Sequence, residues 1–109
     1  MATTYKVLGQ SNPAATTLTT LYTVPASTQT VVSTITVANQ AASAATYRIS
    51  VRPDGAAQAN QHYIAFDAPI AALDTVALSL GITLGNTDVI SVYSANANLS
   101  FSVFGTEIT

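Results

Sequence analysis

Side chains that could act as a base or a nucleophile are scarce in this sequence of 109 residues. The chain has one histidine, His62 in the stretch NQHYIAF, and no cysteine. Nucleophilic catalysis needs such a base beside a hydroxyl or a thiol. Because Ser and Thr are abundant, a hydroxyl near His62 would occur by chance. We therefore expect His62 to be an ordinary residue at a strand or loop edge, bonded to a neighbour.

The acidic residues form no recognisable catalytic pair or metal-ligand set. Three of them lie close to Pro or Gly turn signals, which explains them as turn residues. No spacing matches an EF-hand, and the five glycines are scattered singly, without a phosphate-binding pattern. The sequence predicts no catalytic residue, no metal and no cofactor, so an enzyme is the weakest hypothesis; a fortuitous surface Ca²⁺ at a loop stays open. The acidic residues are Asp54, Asp67, Asp74, Asp88 and Glu107.

Two arginines make the only local concentration of positive charge. Arg48 and Arg52 are four residues apart, and on a strand that spacing places both side chains on the same face. Together they could clamp the carboxylates of a partner protein. The alternative is a solvated outer face carrying two unremarkable arginines, because exposed ion pairs are weak and common.

The charge content is far below that of an ordinary domain. Three Lys or Arg and five Asp or Glu make 7% of the chain, where about 25% is usual. With a net charge of -2 and a pI near 4.7, the clustered cations that bind nucleic acid or anionic lipid are missing. We expect no nucleic-acid partner, no membrane partner and no small-molecule substrate. A surface of Thr, Ser, Asn, Gln and Ala suits permanent contact with protein.

Targeting segments are not evident in the sequence. The opening MATTYKVLGQSNP lacks a basic start followed by an apolar stretch, and the longest apolar runs break well before the ~18 residues that span a bilayer. We expect a soluble protein made in a cytoplasm. The lack of cysteine leaves no disulfide and no thiolate metal site, so nothing requires an oxidising compartment.

Alternation of apolar and polar residues dominates the chain and predicts strands. About eight short strands with turn signals between them predict an all-β fold: residues 1–109 form a single-domain antiparallel β-sandwich, jelly-roll-like. GAAQANQ, residues 55–61, favours helix by composition but is too short, so we expect a loop. In four of the predicted strands, the residues expected to share one face are Val31, Ser33, Ile35 and Val37; Tyr47, Ile49 and Val51, which point inward; Val76, Leu78, Leu80 and Ile82; and Leu99, Phe101 and Val103.

The first segment and the sheet edges are candidates for contact with other chains. Soluble monomers commonly protect strand edges with lysines or inward charges, and Lys6 is the only lysine here. Residues 1–15 could form an extended or strand-exchanging N-terminal arm, because SNPAATT resembles a hinge. The alternative is an ordinary first strand in its own sandwich. We predict partner contacts at Tyr5, Lys6, Arg48 and Arg52.

Two long stretches carry a resemblance to a known group. LYTVPASTQTVVSTITVANQAASAATYRISV and DTVALSLGITLGNTDVISVYSANANLSFSVFGTEI resemble small virion structural proteins of tailed bacteriophages, notably cyanophages. The likeness lies in the LYTVP strand and turn, the VAN strand end, the LGNTDVISV turn and strand, and the closing FGTEI. These are scaffold patterns of a β-sandwich, and together they cover most of the chain from Leu21 onward.

The resemblance implies a non-enzymatic virion component of the capsid cement or decoration type. Such a protein would be a homo-oligomer on the capsid surface, and its partners would be the major capsid protein and copies of itself. It would stabilise the shell against the pressure of packaged DNA. The alternatives are a tail, neck or baseplate subunit, and, less favoured, a carbohydrate-binding adhesive module, since jelly rolls often carry sugars.

Overall fold

Nine strands and two short 3₁₀ turns make up the chain in a computed structural model that describes residues 2–109. Thr, Val and Ile fill most strand positions, because β-branched side chains are stiff and pack well on a pleated surface. The strands are β1 (Thr3–Ser11), β2 (Thr19–Thr23), β3 (Gln29–Asn39), β4 (Ala45–Arg52), β5 (Tyr63–Ile70), β6 (Thr75–Leu78), β7 (Thr83–Leu84), β8 (Val89–Ser94) and β9 (Leu99–Ile108).

The strands form two antiparallel sheets that face each other across one core. Sheet A has the order β1-β9-β3-β6, with β7 also paired to β3, and sheet B has the order β2-β8-β4-β5. Successive strands cross between the sheets, so that sequence neighbours seldom pair. This is the strand order of a jelly roll. The predicted all-β antiparallel sandwich is confirmed.

The core fills the space between the two sheets with aliphatic and aromatic side chains. Tyr47 and Phe101 meet edge to face across it, with ring centroids 6.2 Å apart. The predicted inward faces of β4 and β9 are correct, and Val51, although only half-buried, packs against the core. The core residues are Leu21, Tyr22, Val24, Val32, Ile35, Val37, Tyr47, Ile49, Ile70, Leu84, Ile90, Val92, Leu99, Phe101 and Val103.

The predicted faces of β3 are wrong in its first half. Val31 and Ser33 were expected on the same side as Ile35, but both are exposed and Val32 is buried instead. The pairing of β3 with β9 shifts by one residue between Val32 and Thr34. Such a bulge leaves one residue unopposed and reverses the alternation beyond it.

The stretch predicted as one strand after Asp74 is two strands. β6 ends at Leu78, and the chain turns at Gly81, which has a φ of +66°. It then pairs again as the short β7. Leu80 is therefore exposed, contrary to the prediction that it shares a face with Val76 and Leu78. This interruption accounts for nine strands rather than about eight.

The two chain ends meet at one end of the sandwich. Ala2 and Thr109 exchange both backbone hydrogen bonds, at 3.0 and 2.9 Å. β1 pairs with β9 of the same chain along its whole length, at the edge of sheet A. Exchange of the N-terminal arm between copies stays a prediction.

Residues 53–62, which connect β4 to β5, form a loop with a 3₁₀ turn at each end, in line with the loop expected there. Within residues 2–109, no helix has the length and apolar character needed to cross a membrane.

Candidate functional site

The outer face of sheet A carries a group of exposed apolar side chains at the end where the termini meet. Tyr5 and Val31 lie on either side of Thr106, and Val7 and Thr34 lie on either side of Phe104. Tyr5 is 82% exposed, and Val7 and Val31 are also exposed. We call the outward side chains of Tyr5, Val7, Val31 and Phe104 the outer patch.

The outer patch has no charged neighbour in its own sheet. Among the strands of sheet A only Lys6 and Glu107 are charged. Their side chains pair with each other, with Lys6 Nζ 3.0 Å from Glu107 Oε1. Glu107 also accepts a hydrogen bond from Tyr22 of sheet B, so this pair lies on the inner side of sheet A. The outer face of sheet A therefore carries hydroxyls, amides and apolar groups.

Glu107 of β9 is the centre of a network that links four strands, β1, β2, β3 and β9. The Tyr22 hydroxyl lies 2.6 Å from Glu107 Oε2 and 2.8 Å from Thr30 Oγ1. Burial, followed by the bond to Glu107, raises the pKa of Tyr22 to about 12. The hydrogen bond from Tyr22, with help from Lys6, lowers the pKa of Glu107. Lys6, a predicted partner contact, is therefore engaged within its own chain.

Arg48 lies in an aromatic cluster on the outer face of sheet B. Its guanidinium carbon is 4.2 Å from the ring centroid of Phe66 and 4.5 Å from that of Tyr93. Its Nε donates to Asp67 Oδ1 at 2.7 Å, and this bond raises the pKa of Arg48 above its usual value. The partner for Arg48 is supplied by β5, because Asp67 lies in a bulge opposite it, with φ at +50°.

Arg52 also bonds to its own chain. Its Nε lies 3.1 Å from Ser91 Oγ, and its Nη1 donates to the Ala56 carbonyl at 2.9 Å. Arg48 and Arg52 both project from the outer face of sheet B, as their spacing predicts, yet the structure gives each an internal partner. Clamping of a partner's carboxylates by these two residues stays a prediction.

An open hollow of about 440 Å³ lies beside the Arg48 cluster and is lined by Asn60, Tyr63 and Phe66. The Tyr63 and Phe66 rings meet edge to face, with centroids 4.9 Å apart. Phe66 is exposed and Tyr63 is half-buried. The hollow combines aromatic rings with an amide.

His62 and three of the carboxylates stabilise turns. His62 is buried, and its Nδ1 accepts a hydrogen bond from the Ala59 N–H at 3.1 Å. Asp88 accepts the N–H groups of Asp54 and Gly85, each at 2.8 Å. Asp54 accepts the hydroxyl of Thr87, and Asp74 accepts the N–H of the next residue. Within residues 2–109, no three His, Asp or Glu side chains are grouped so that they could hold a metal ion.

Tyr5 was predicted from the sequence as a partner contact, but the other residues of the outer patch were not. Val31 was placed inside, because strict alternation carries it to the same side as Ile35. Val7 and Phe104 were not singled out. The one usable signal was Gly105, since an isolated glycine in a strand often marks a bulge or a close approach of another backbone.

Comparisons with family models, with curated proteins and with solved structures found no match to this chain. Its class therefore follows from the fold alone. The chain is an antiparallel β-sandwich of two facing sheets with jelly-roll strand order.

Proposed function

We propose that this protein is a non-enzymatic virion structural protein of a tailed bacteriophage, of the capsid cement or decoration type. It binds the shell of major capsid protein as a homo-oligomer and stabilises it on the capsid surface. The proposal combines the resemblance of two long stretches to phage virion proteins with the surface described above. Jelly rolls occur in viral capsid proteins, but also in lectins and enzymes, so the fold supports the proposal only by analogy.

The observation that carries the proposal is the uncharged outer face of sheet A. It presents Tyr5, Val7 and Val31 to solvent beside the half-buried Phe104. Exposed apolar groups framed by polar ones mark surfaces that another protein covers. The hydroxyls around them can be desolvated with less cost than charges.

A surface of this kind would hold a particle together over a wide range of salt. At 0.1 M salt, attraction between exposed charges is largely screened beyond about 10 Å, whereas the burial of apolar area is not screened. The outer patch has no charge of its own. We therefore expect binding to the shell that changes little between low and high salt.

Purified virions of the phage that encodes the chain provide the test. Particles stripped of the protein should lose heat resistance, and adding back the wild-type protein should restore it. Val31→Glu should fail to restore it, because it puts a charge in the outer patch. Ile64→Glu is the matched control, since Ile64 is 41% exposed and Val31 is 43% exposed, and it lies on sheet B.

Copy number separates the shell from the tail, neck or baseplate. A cement protein is present hundreds of times per particle, whereas a tail or baseplate subunit is present roughly a dozen times. Quantitative mass spectrometry against the major capsid protein measures this ratio. A low ratio, or detection in isolated tails only, would contradict the capsid location, and absence from particles would contradict the whole proposal.

A carbohydrate-binding module is the second candidate, and the hollow beside Arg48 favours it. Sugars pack on exposed aromatic rings, and Phe66 and Tyr63 line this hollow together with the amide of Asn60. Arg48 stacks on Phe66 and so occupies part of the aromatic surface, which ranks this candidate second. Binding on a glycan array that Phe66→Ala abolishes and Leu80→Ala leaves intact would establish it.

A further inference from the structure

The free edge of β1 carries a regular row of unpaired backbone groups. Ala2 and Thr109 exchange both of their hydrogen bonds. In an antiparallel ladder, bonded and non-bonded pairs alternate. Thr4 and Lys6 therefore bond to β9, whereas the N–H and C=O groups of Thr3, Tyr5 and Val7 point away from it. Within residues 2–109, no backbone group of another element bonds to these three.

β1 is the least protected edge of the sandwich. Lysines and inward charges usually block such an edge, but the Lys6 ammonium turns inward to Glu107. The other edges are short or irregular. β6 has four residues, and β2 has five with a register shift. β5 carries Pro69 and two register shifts against β4. By contrast, residues 3–7 of β1 pair with β9 without interruption.

We propose that two copies of this chain pair through β1, antiparallel, about a two-fold axis at Tyr5. Tyr5 then faces Tyr5 of the second copy, and Thr3 faces Val7. Each free N–H of these three residues then lies opposite a free C=O of the second copy, because their spacing is symmetric about Tyr5. Sheet A of each copy joins the other in one continuous sheet.

The side chains fit this register. Lys6 lies opposite Thr4 of the second copy, so no like charges meet across the axis. Thr3, Tyr5 and Val7 all project from the outer face, because Lys6 projects from the inner one. A two-fold axis perpendicular to the sheet keeps both outer faces on the same side. The outer patches of the two copies then form a single apolar surface.

The occupant is a second copy because the edge is complementary to itself. An unrelated strand would also find free donors and acceptors there, but the one charged side chain in residues 3–7, Lys6, is paired with Glu107 of its own chain and does not select such a strand. The inference deepens the homo-oligomer in the proposed function and depends on that function only for its biological setting. It is tested on the purified full chain, so a failure here leaves the location in the virion untouched.

Single cysteines test the register, because the chain has none of its own. Paired residues at Tyr5 would have Cα atoms about 5.5 Å apart, within the reach of a disulfide. Two Val7 residues would be about 14 Å apart, and two Val31 residues about 24 Å apart. In oxidised glutathione, Tyr5→Cys should form covalent dimers at least about tenfold faster than Val7→Cys or Val31→Cys. Equal rates, or a faster Val7→Cys, would overturn the proposal.

Proline at the same position tests the backbone pairing. Tyr5→Pro removes an N–H that the chain's own ladder does not use, and proline is tolerated on that side of an edge strand. Tyr5→Thr is the control, because it keeps the N–H. By sedimentation equilibrium from micromolar to millimolar protein, Tyr5→Pro should associate at least about tenfold more weakly than Tyr5→Thr. Circular dichroism checks that both variants fold. A wild-type chain that stays monomeric throughout, or equal association of the two variants, would overturn the proposal.

Discussion

Tyr22 of β2 and Glu107 of β9 are bonded across the interior between the two sheets, with the Tyr22 hydroxyl 2.6 Å from Glu107 Oε2. The other carboxylate oxygen of Glu107, Oε1, forms an ion pair with the ammonium group of Lys6 on β1. Backbone hydrogen bonds hold strands together within a sheet, whereas this contact joins one sheet to the other. It also holds the edge strand β1 by a side chain as well as by its ladder.

Replacing Tyr22 with Phe should destabilise the protein by about 1 to 3 kcal/mol, because Glu107 and the buried Thr30 lose their shared partner. Denaturant unfolding followed by circular dichroism measures the free energy. Tyr93→Phe is the control, since Tyr93 packs its ring against Arg48 on the outer face of sheet B. Equal losses in the two variants would contradict a special role for Tyr22.

Stability should fall at alkaline pH because of the same contact. Tyr22 ionises near 10.0 in the unfolded chain and near 12 in the folded one. The contribution of Tyr22 to the free energy of unfolding is therefore complete below pH 10 and is lost as the pH rises toward 12. Burial also raises the pKa of Tyr47, which adds to this slope. Tyr22→Phe should flatten the fall in melting temperature over this range without removing it, and an unchanged slope would contradict the assignment.

Low pH should also weaken the contact between Tyr22 and Glu107, because it protonates Glu107. The pKa of Glu107 is lowered from its usual value of 4.5 in the folded chain. Its contribution is present above pH 4.5 and is lost as the pH falls through the lowered folded value. Melting temperatures of the wild type and Glu107→Gln, compared from neutral pH downward, measure this difference. The two curves should converge in acid, and a constant gap would contradict the prediction.

The class of fold could be predicted from the sequence, because alternation is strong wherever one face of a strand is buried. Tyr47 and Ile49 on β4, and Leu99 and Phe101 on β9, face the core as expected. The predicted strand faces were wrong where a bulge breaks the alternation, as at Val31. A bulge depends on backbone contacts between strands that are far apart in sequence. The two-residue alternation within a single strand carries no information about those contacts.

The candidate site was less predictable than the fold for the same reason. Tyr5 was named from its place near the start of the chain, but its neighbours Val31 and Phe104 come together only through the pairing with β9. Arg48 was expected either to contact a partner or to lie on a solvated outer face. Asp67 meets it because β5 is bulged at that point, which its sequence does not reveal.

Gly105 should be indispensable where β9 passes the bulge of β3, between Val32 and Thr34. A Cβ atom there would lie 2.2 Å from the Val31 carbonyl oxygen and 3.0 Å from the Val32 Cα atom, and both neighbours are backbone. Gly105→Ala should cost at least about 3 kcal/mol or prevent folding. Gly85→Ala is the matched control, because its Cβ would meet only the Asp88 side chain, at 3.7 Å. Similar unfolding free energies for the two variants would contradict the close approach.

Leu73 should be a position where substitution stabilises the chain. It has a φ of +55°, in the left-handed region that costs a residue other than Gly, Asn or Asp about 1 kcal/mol. It is also 72% exposed, so its side chain gains little from burial within the chain. Leu73→Asn should therefore raise the unfolding free energy by up to ~1 kcal/mol.

Leu80→Asn is the control for this substitution, because Leu80 is also an exposed loop leucine but does not have a positive φ. It should leave stability unchanged or slightly lower it, since no backbone strain is relieved there. Thermal unfolding of both variants beside the wild type decides the matter. If Leu73→Asn lowers the melting temperature as much as Leu80→Asn does, strain at Leu73 is not what limits stability, and a packing role for its side chain would take its place.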